Sequence, residues 1–203
     1  MFSLIHQTAL TVLLPLLGWM RPAGAPGYKL SLPSSERMWV ELRPVGVVRV
    51  RLSDEEVREA WRSGGVEGEV EIYPEYEPAL EGIEGFSHLR LVVWLHKVGE
   101  EGRRVLRVRP RRWLRLGVPE EEVPEVGVFC TDSPHRPNPV GMTVVRLEER
   151  RGRFLRVSGL DLFDGTPVLD IRPYVPWRLS PEPTVPDWFR RLREFGAPEG
   201  WHF

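Results

Sequence analysis

A chain of 203 residues, 41% apolar and with a net charge of −1, is long enough to bury a core without covalent staples and balanced enough to read as soluble and globular. Its one cysteine, Cys130, excludes an internal disulfide and a cysteine-rich zinc site. Lys29 and Lys97 are the only lysines, and Asn and Gln occur once each, a bias that fits a GC-rich, heat-adapted genome.

Residues 1–37 do not match the rest. Residues 9–20 are apolar and Ala23-Gly24-Ala25 resembles a signal-peptidase site. No Lys or Arg precedes the apolar run, and it is too short to span a bilayer. Met38 stands directly before the first strand pattern. The sequence is therefore read as an extension over 1–37, dispensable or the product of a misassigned start, and one domain over 38–203. A cytoplasmic protein without a membrane segment is expected.

Residues 39–52 are β-branched and partly alternating, which predicts a strand. Helix follows in "SDEEVREAWRSGG": Ser53 caps, Glu56 completes a capping box, and Gly64-Gly65 stops it. "VEGEVEIYP" predicts a strand and "EYEPALEGIEG" a helical turn. Residues 86–96 form an apolar strand expected to be buried on both faces. Further strands are predicted near 103–109, 126–131, 142–149 and 153–159, the last two joined by a turn at Arg151-Gly152. Asp164-Gly165 marks a turn before another strand. Pro186 starts a terminal helix that Gly196 ends. Seven or more short strands and few short helices predict a mainly β domain, a closed or nearly closed barrel with short flanking helices.

Several chemistries are excluded by missing signatures. No GxGxxG, GxxxxGK[ST] or GxSxG is present. His88 and His96 fall on one face of the same predicted strand, but no third ligand follows, so no metal site is expected and His88 reads as a core or edge histidine. From Arg103 to Arg115 the chain carries seven arginines and no acid, followed by "PEEEVPE". That run is either a solvated segment with local ion pairing or a phosphate-facing stripe including Arg107, Arg109 and Arg112.

The most distinctive segments are "GVFCTDSPHRPNPVGMTVVRL" and "VSGLDLFDGTPVLDIRPYVP". Together they closely resemble the TrmO or TsaA-like family of S-adenosylmethionine-dependent methyltransferases, which methylate N6 of threonylcarbamoyladenosine beside the tRNA anticodon. "GVVRV", "EYEPALEGIEGFSHL" and "VVWLH" match in order and spacing, so the resemblance covers about residues 43–176. It implies a β-barrel enzyme working on tRNA as a homodimer, with S-adenosylmethionine bound near the subunit interface. The implied cofactor contacts are His96, Lys97, Asp132, Met142, Asp161, Leu162, Asp164, Gly165 and Thr166. The alternative is a non-catalytic RNA- or nucleotide-binding barrel of the same family.

Physical chemistry adds to that list. Pro134, Pro137 and Pro139 fix φ, so the loop keeps its shape on binding at little entropic cost. Asn138 offers an amide donor and acceptor for a base edge or the cofactor's amino acid end. Arg136 and His135 suit a phosphate or the carboxylate of the threonyl group, and Ser133 completes the substrate-facing set. Asp161 or Asp164 suits a ribose diol. Methyl transfer needs mainly in-line placement, and the acidified N6 proton asks little of a base. His135, Asp132 and Asp170 are the unranked candidates for it. The chain departs from the family in reading "RVRLSDEEVREAW" where many relatives carry Pro-Arg-Gln, and Asp132 where many carry Arg. The extra C-terminal domain of bacterial members has no counterpart here.

Overall fold

Strands of alternating burial close on themselves in the computed structural model, which describes residues 28–29, 40–175 and 184–194. Two short strands come first, β1 (Tyr28–Lys29) and β2 (Glu41–Leu42), paired antiparallel outside the barrel. The barrel uses β3 (Gly46–Arg49), β4 (Val66–Ile72), β5 (His88–Trp94), β8 (Val140–Arg151), β9 (Phe154–Leu160) and β10 (Pro167–Pro173). Its order is β10-β3-β4-β9-β8-β5, every neighbour antiparallel, and no edge is left open. A third pair, β6 (Arg107–Val108) and β7 (Val126–Gly127), lies in the long connection between β5 and β8.

The barrel interior follows from period-two patterning. Val48, Val70, Leu91, Val93, Leu155 and Val168 are wholly buried, each contributing about 1.5–3 kcal/mol relative to exposure. Register shifts between Val66 and Gly68, Leu147 and Glu149, and Val168 and Asp170 add the local twist that closure needs.

Among the described residues four α-helices accompany the barrel: α1 (Asp54–Ala60), α2 (Glu100–Arg103), α3 (Arg111–Arg115) and α4 (Asp187–Glu194). Ser53 Oγ accepts from the Glu56 amide at 3.3 Å, and the Ser53 amide donates to Glu56 Oε2 at 2.8 Å, the expected capping box. A 3-10 turn, Trp61–Ser63, continues α1. Gly65 has φ +87°, and a Cβ there would lie 2.6 Å from the Leu160 carbonyl oxygen. Only glycine lets the chain leaving α1 press so closely against the end of β9.

A second small core fastens the connection. Trp113, Val118, Val123 and Leu192 are buried together, with Trp188 and Phe189 against them. The rings of Trp113 and Phe189 meet edge to face at 5.5 Å, so α4 clamps α3.

The structure corrects several predicted elements. The strand expected over 39–52 is broken after Leu42, because Pro44 cannot donate to a ladder. Residues 103–109 hold the end of α2 and only two strand residues, and 126–131 become β7 followed by a 3-10 turn, Val128–Cys130. β5 is fully buried on one face only: Leu89, Leu91 and Val93 point inward, while His88, Arg90 and Val92 are half-buried. It ends at Trp94, so His96 lies in the following turn and does not share a strand face with His88. Among the described residues no group of His, Cys, Asp and Glu could hold a metal. His88 opens β5, paired with Arg146 on one side and accepting from the Tyr174 amide on the other, with its ring 2.9 Å from Ser87 Oγ and tilted against Tyr174, so it is neither a core nor an edge histidine. The predicted stop at Gly196 and residues 1–27 lie outside the described residues. No helix among the described residues is long and apolar enough to cross a membrane.

Candidate functional site at one end of the barrel

Antiparallel pairing brings the end of β5, the start of β8, the end of β9 and the start of β10 to the same end of the barrel. The segment between β9 and β10 is built there as a tight turn. Gly165, at φ +74°, donates its amide to the Val48 carbonyl at 2.9 Å. The Val50 amide donates to Asp164 Oδ1 at 3.0 Å. Buried Thr166 donates Oγ1 to the Phe163 carbonyl at 2.7 Å, and Leu162 is buried in the barrel core. Thr166 and Leu162 thus hold the turn, while Asp161, Phe163 and Asp164 are left to face outward or across the barrel end.

One side of this end is made by His96, Lys97, Asp54, Asp164 and Phe163. Lys97 Nζ lies 4.8 Å from the Phe163 ring centroid, and the Arg58 guanidinium 4.9 Å from the same ring. Burial first, and then the Lys97 charge, hold the His96 pKa below its usual value, against the pull of Asp54 and Asp164. The neutral imidazole is thereby favoured.

The other side joins Asp132, Asp161, Arg112, Thr143 and Trp61. Arg112 is half-buried, its guanidinium 4.8 Å from the Trp61 ring centroid. Burial works against its charge, and Asp132 and Asp161 both support it. Asp161 is open to solvent yet crowded by protein, the setting of a group on a concave wall. That crowding raises its carboxyl pKa, reinforced by Asp132 and opposed by a hydrogen bond from Thr143, by its own backbone and by Arg112. Among these side chains the two carboxylates outnumber the one guanidinium, an excess of one negative charge.

The proline-rich loop 131–139 borders this corner. Thr131 Oγ1 donates to the Val128 carbonyl at 2.9 Å and accepts from the Ser133 amide at 3.2 Å. Arg136 Nη1 donates to the Thr131 carbonyl at 3.4 Å. The His135 ring lies on α2, where a Cβ added to Gly102 would be 3.3 Å from Cδ2. The Leu95 amide donates to the Pro139 carbonyl at 2.8 Å, tying the loop to β5, and the Val140 amide donates to the Asn138 carbonyl at 2.7 Å. Asn138 is exposed, and among the described residues its side chain makes no hydrogen bond.

Four expected site residues stand apart from these clusters. Met142 is 73% exposed on the outer face of β8, opposite Val92, whereas its neighbour Thr143 turns to the Asp161 side. Asp170 is on the same outer wall, in register with Val92, bonded to Arg172 Nε at 2.9 Å and to the Ile171 amide. Arg107 and Arg109 pair with Glu125 and Glu120 at 3.4 and 3.6 Å. The arginine run therefore splits: those two meet the acidic segment, and Arg112 turns to Trp61 and the aspartates. Sequence reasoning passed over Thr143, Trp61 and Asp54; the signal for Trp61 was a large aromatic placed next to a glycine helix stop.

The family profile of the tRNA-methyltransferase O N-terminal domain matches residues 55–178, more than half of the chain. The chain belongs to that family. A probable S-adenosyl-L-methionine-binding protein of Methanothermobacter thermautotrophicus is 44% identical over 138 residues, 68% of this chain and 91% of that protein. One of the same description from Archaeoglobus fulgidus is 43% identical, over 68% of this chain and 34% of its own length. The mouse tRNA (adenine(37)-N6)-methyltransferase is 40% identical over 55% of this chain and 24% of its own. A crystal structure of TrmO superposes with a TM-score of 0.54 at 32% identity, covering 75% of this chain and 62% of that one. The chain thus spans a quarter to two thirds of three of these four.

Proposed function

We propose that this protein is an S-adenosylmethionine-dependent tRNA methyltransferase acting on N6 of threonylcarbamoyladenosine beside the anticodon. The observation that carries the reading is the barrel end within the family's matched region, where Arg112 lies over the Trp61 ring at 4.8 Å and feels the charges of Asp132 and Asp161. A net-negative site with one guanidinium fits a ligand bearing a sulfonium, an ammonium and a carboxylate. His96, Lys97 and Asp164 offer a second set of polar groups at the same end for the nucleoside part. When bound, the cofactor supplies an electrophilic methyl group.

The chain's own part is to bind, orient and take a proton. The loop 131–139, pinned at both ends by backbone hydrogen bonds, presents Ser133, His135, Arg136 and Asn138 to the RNA without reorganising. Of the proposed bases, Asp132 and His135 belong to this loop, whereas Asp170 lies on the outer wall with Arg172. Phe129, 77% exposed, and Leu106, 64% exposed, adjoin Arg107, a composition that suits unstacked bases of an anticodon loop.

Met142 and Val144 give the outer wall of β8 an apolar patch, 73% and 40% exposed. That patch suits a second copy of the chain, so a cytoplasmic homodimer completes the reading. Mass spectrometry of nucleosides from tRNA incubated with protein and S-adenosylmethionine tests the function. A methylated threonylcarbamoyladenosine is expected; tRNA binding without any methyl transfer returns the non-catalytic barrel.

A further inference from the structure

The carbon edge of the His135 ring rests on α2. A Cβ added to Gly102 would lie 3.3 Å from His135 Cδ2, 3.6 Å from its Cγ and 2.8 Å from Val98 Cγ1. No ring nitrogen is among these nearest atoms. Among the described residues neither nitrogen makes a hydrogen bond, so both are left for a ligand. The seat is held from two sides. Arg103 ties α2 to the barrel, its guanidinium 5.1 Å from the ring centroid of buried Trp94 at the end of β5. Trp94 pairs with Val140, and the Leu95 amide donates to the Pro139 carbonyl at 2.8 Å. The same strand end therefore also holds the loop that carries His135. Pro134 and Pro137 fix φ on either side of His135-Arg136.

We infer that Gly102 is a positioning residue for the tRNA substrate: the missing side chain on α2 makes the seat that holds the His135 ring, with both nitrogens available to the RNA. The inference rests on the proposed placing of His135 against tRNA. Gly102 is not at positive φ, so its backbone conformation does not require glycine. What requires it is space. Val98 has no room to absorb an added methyl group, being β-branched and only 9% exposed. The exposed His135 ring is the neighbour that can turn away, by a change of rotamer into solvent. Gly102→Ala therefore moves the imidazole more than it disturbs the fold. The better helix propensity of alanine offsets part of the crowding at Val98.

A double-mutant cycle on the full chain tests this, with kcat and KM for tRNA measured at saturating S-adenosylmethionine in wild type, Gly102→Ala, His135→Ala and the two combined. Gly102→Ala should lower kcat/KM for tRNA on the order of tenfold, leaving S-adenosylhomocysteine binding within about twofold. That loss should vanish in the His135→Ala background, because residues acting through one contact are not additive. Adding Val98→Ala to Gly102→Ala should recover part of the rate, since the methyl group can then tilt into the vacated space. The His135 imidazole resonances, assigned by their absence from His135→Ala, should shift in Gly102→Ala while those of His88 stay put. Full activity in Gly102→Ala, losses that multiply in the combined variant, or His135→Ala without effect each overturn the inference and leave the methyltransferase reading standing. A parallel loss of S-adenosylhomocysteine binding makes Gly102 a residue of the fold alone and overturns it too. If the wild type transfers no methyl group, the methyltransferase reading falls. The cycle is then read on tRNA affinity, where multiplied losses or no loss overturn the inference in turn.

Discussion

Lys97 Nζ lies 2.5 and 2.6 Å from the two carboxylate oxygens of Asp54, which joins the turn after β5 to the first turn of α1. Both side chains keep a third or more of their surface exposed, so the pair contributes at most about 1 kcal/mol. Its larger effect is electrostatic, because Asp54 supports protonation of His96 while Lys97 opposes it. Asp54→Asn should lower the His96 pKa further, and Lys97→Met should raise it. An imidazole titration by NMR reads both shifts, and shifts of the opposite sign would refute the arrangement.

His96 also sets a pH dependence. Its folded pKa lies below its unfolded value, so the unfolded chain binds the proton first as pH falls. The stability this group contributes is present above pH ~6.5 and is lost as pH drops through the folded pKa. His96→Gln should flatten that part of a denaturation series taken between pH 7 and 5.

Asp161 has the opposite sign. Its folded pKa is raised, so the folded chain holds the proton more tightly and ionisation destabilises it as pH rises through the raised value. Asp161→Asn should therefore raise the melting temperature at pH 7 while it impairs methyl transfer, a trade of stability for function. The gain should shrink on acidification, as the wild-type carboxyl becomes neutral. Thermal melts at pH 7 and pH 4 check this; a variant that melts lower at pH 7 contradicts it.

The contrast between Ser53 and Arg112 explains what the sequence could disclose. Ser53 caps α1 through Glu56, three residues away, and the Arg151-Gly152 turn joins adjacent strands, so local pattern sufficed for both. The barrel followed from alternating strands, and closure was the way to satisfy so many edges. Arg112 looks like its six neighbours in the run, and what singles it out is Trp61, fifty-one positions earlier, and Asp161, forty-nine later. Met142 and Thr143 are adjacent letters, yet alternation on β8 sends them to opposite faces. The run 103–109 resembled a strand because Val105, Leu106 and Val108 suit one, but α2 and Pro110 leave room for only two paired residues.

Arg107 and Arg109 carry the surviving part of the phosphate reading. Their carboxylate partners are exposed, and such pairs open readily for a polyanion. Replacing both with Ala should weaken tRNA binding and flatten the slope of log K against log salt by about 1.4–1.8 units for two contacts. An unchanged slope means that Glu120 and Glu125 are their only partners.

Residues 38–203 should fold without the preceding segment. The one described part of that segment, β1, pairs with β2 and adds no strand to the barrel. A protein starting at Met38 should keep its far-ultraviolet circular dichroism and its cooperative melt. A chain without a cooperative transition would make the extension part of the fold.

Asn138 permits the sharpest separation of structure from function. Its carbonyl accepts from the Val140 amide at 2.7 Å, a backbone contact that any residue could make. Its side chain is exposed and makes no hydrogen bond among the described residues, so the loop does not need the amide for its shape. Pro137 and Pro139 fix the neighbouring backbone without it. Asn138→Asp should therefore leave the melting temperature within a degree or so, because surface changes of this kind stay within about 0.5 kcal/mol. The same change replaces an amide donor with a negative charge in the segment proposed to meet a carboxylate-bearing base. Loss of a hydrogen bond to a charged group costs roughly 1.5–3 kcal/mol, on the order of ten- to a hundredfold in binding. Methyl transfer to tRNA should fall by that factor at unchanged fold. Activity that only tracks the folded fraction would leave Asn138 as a turn residue.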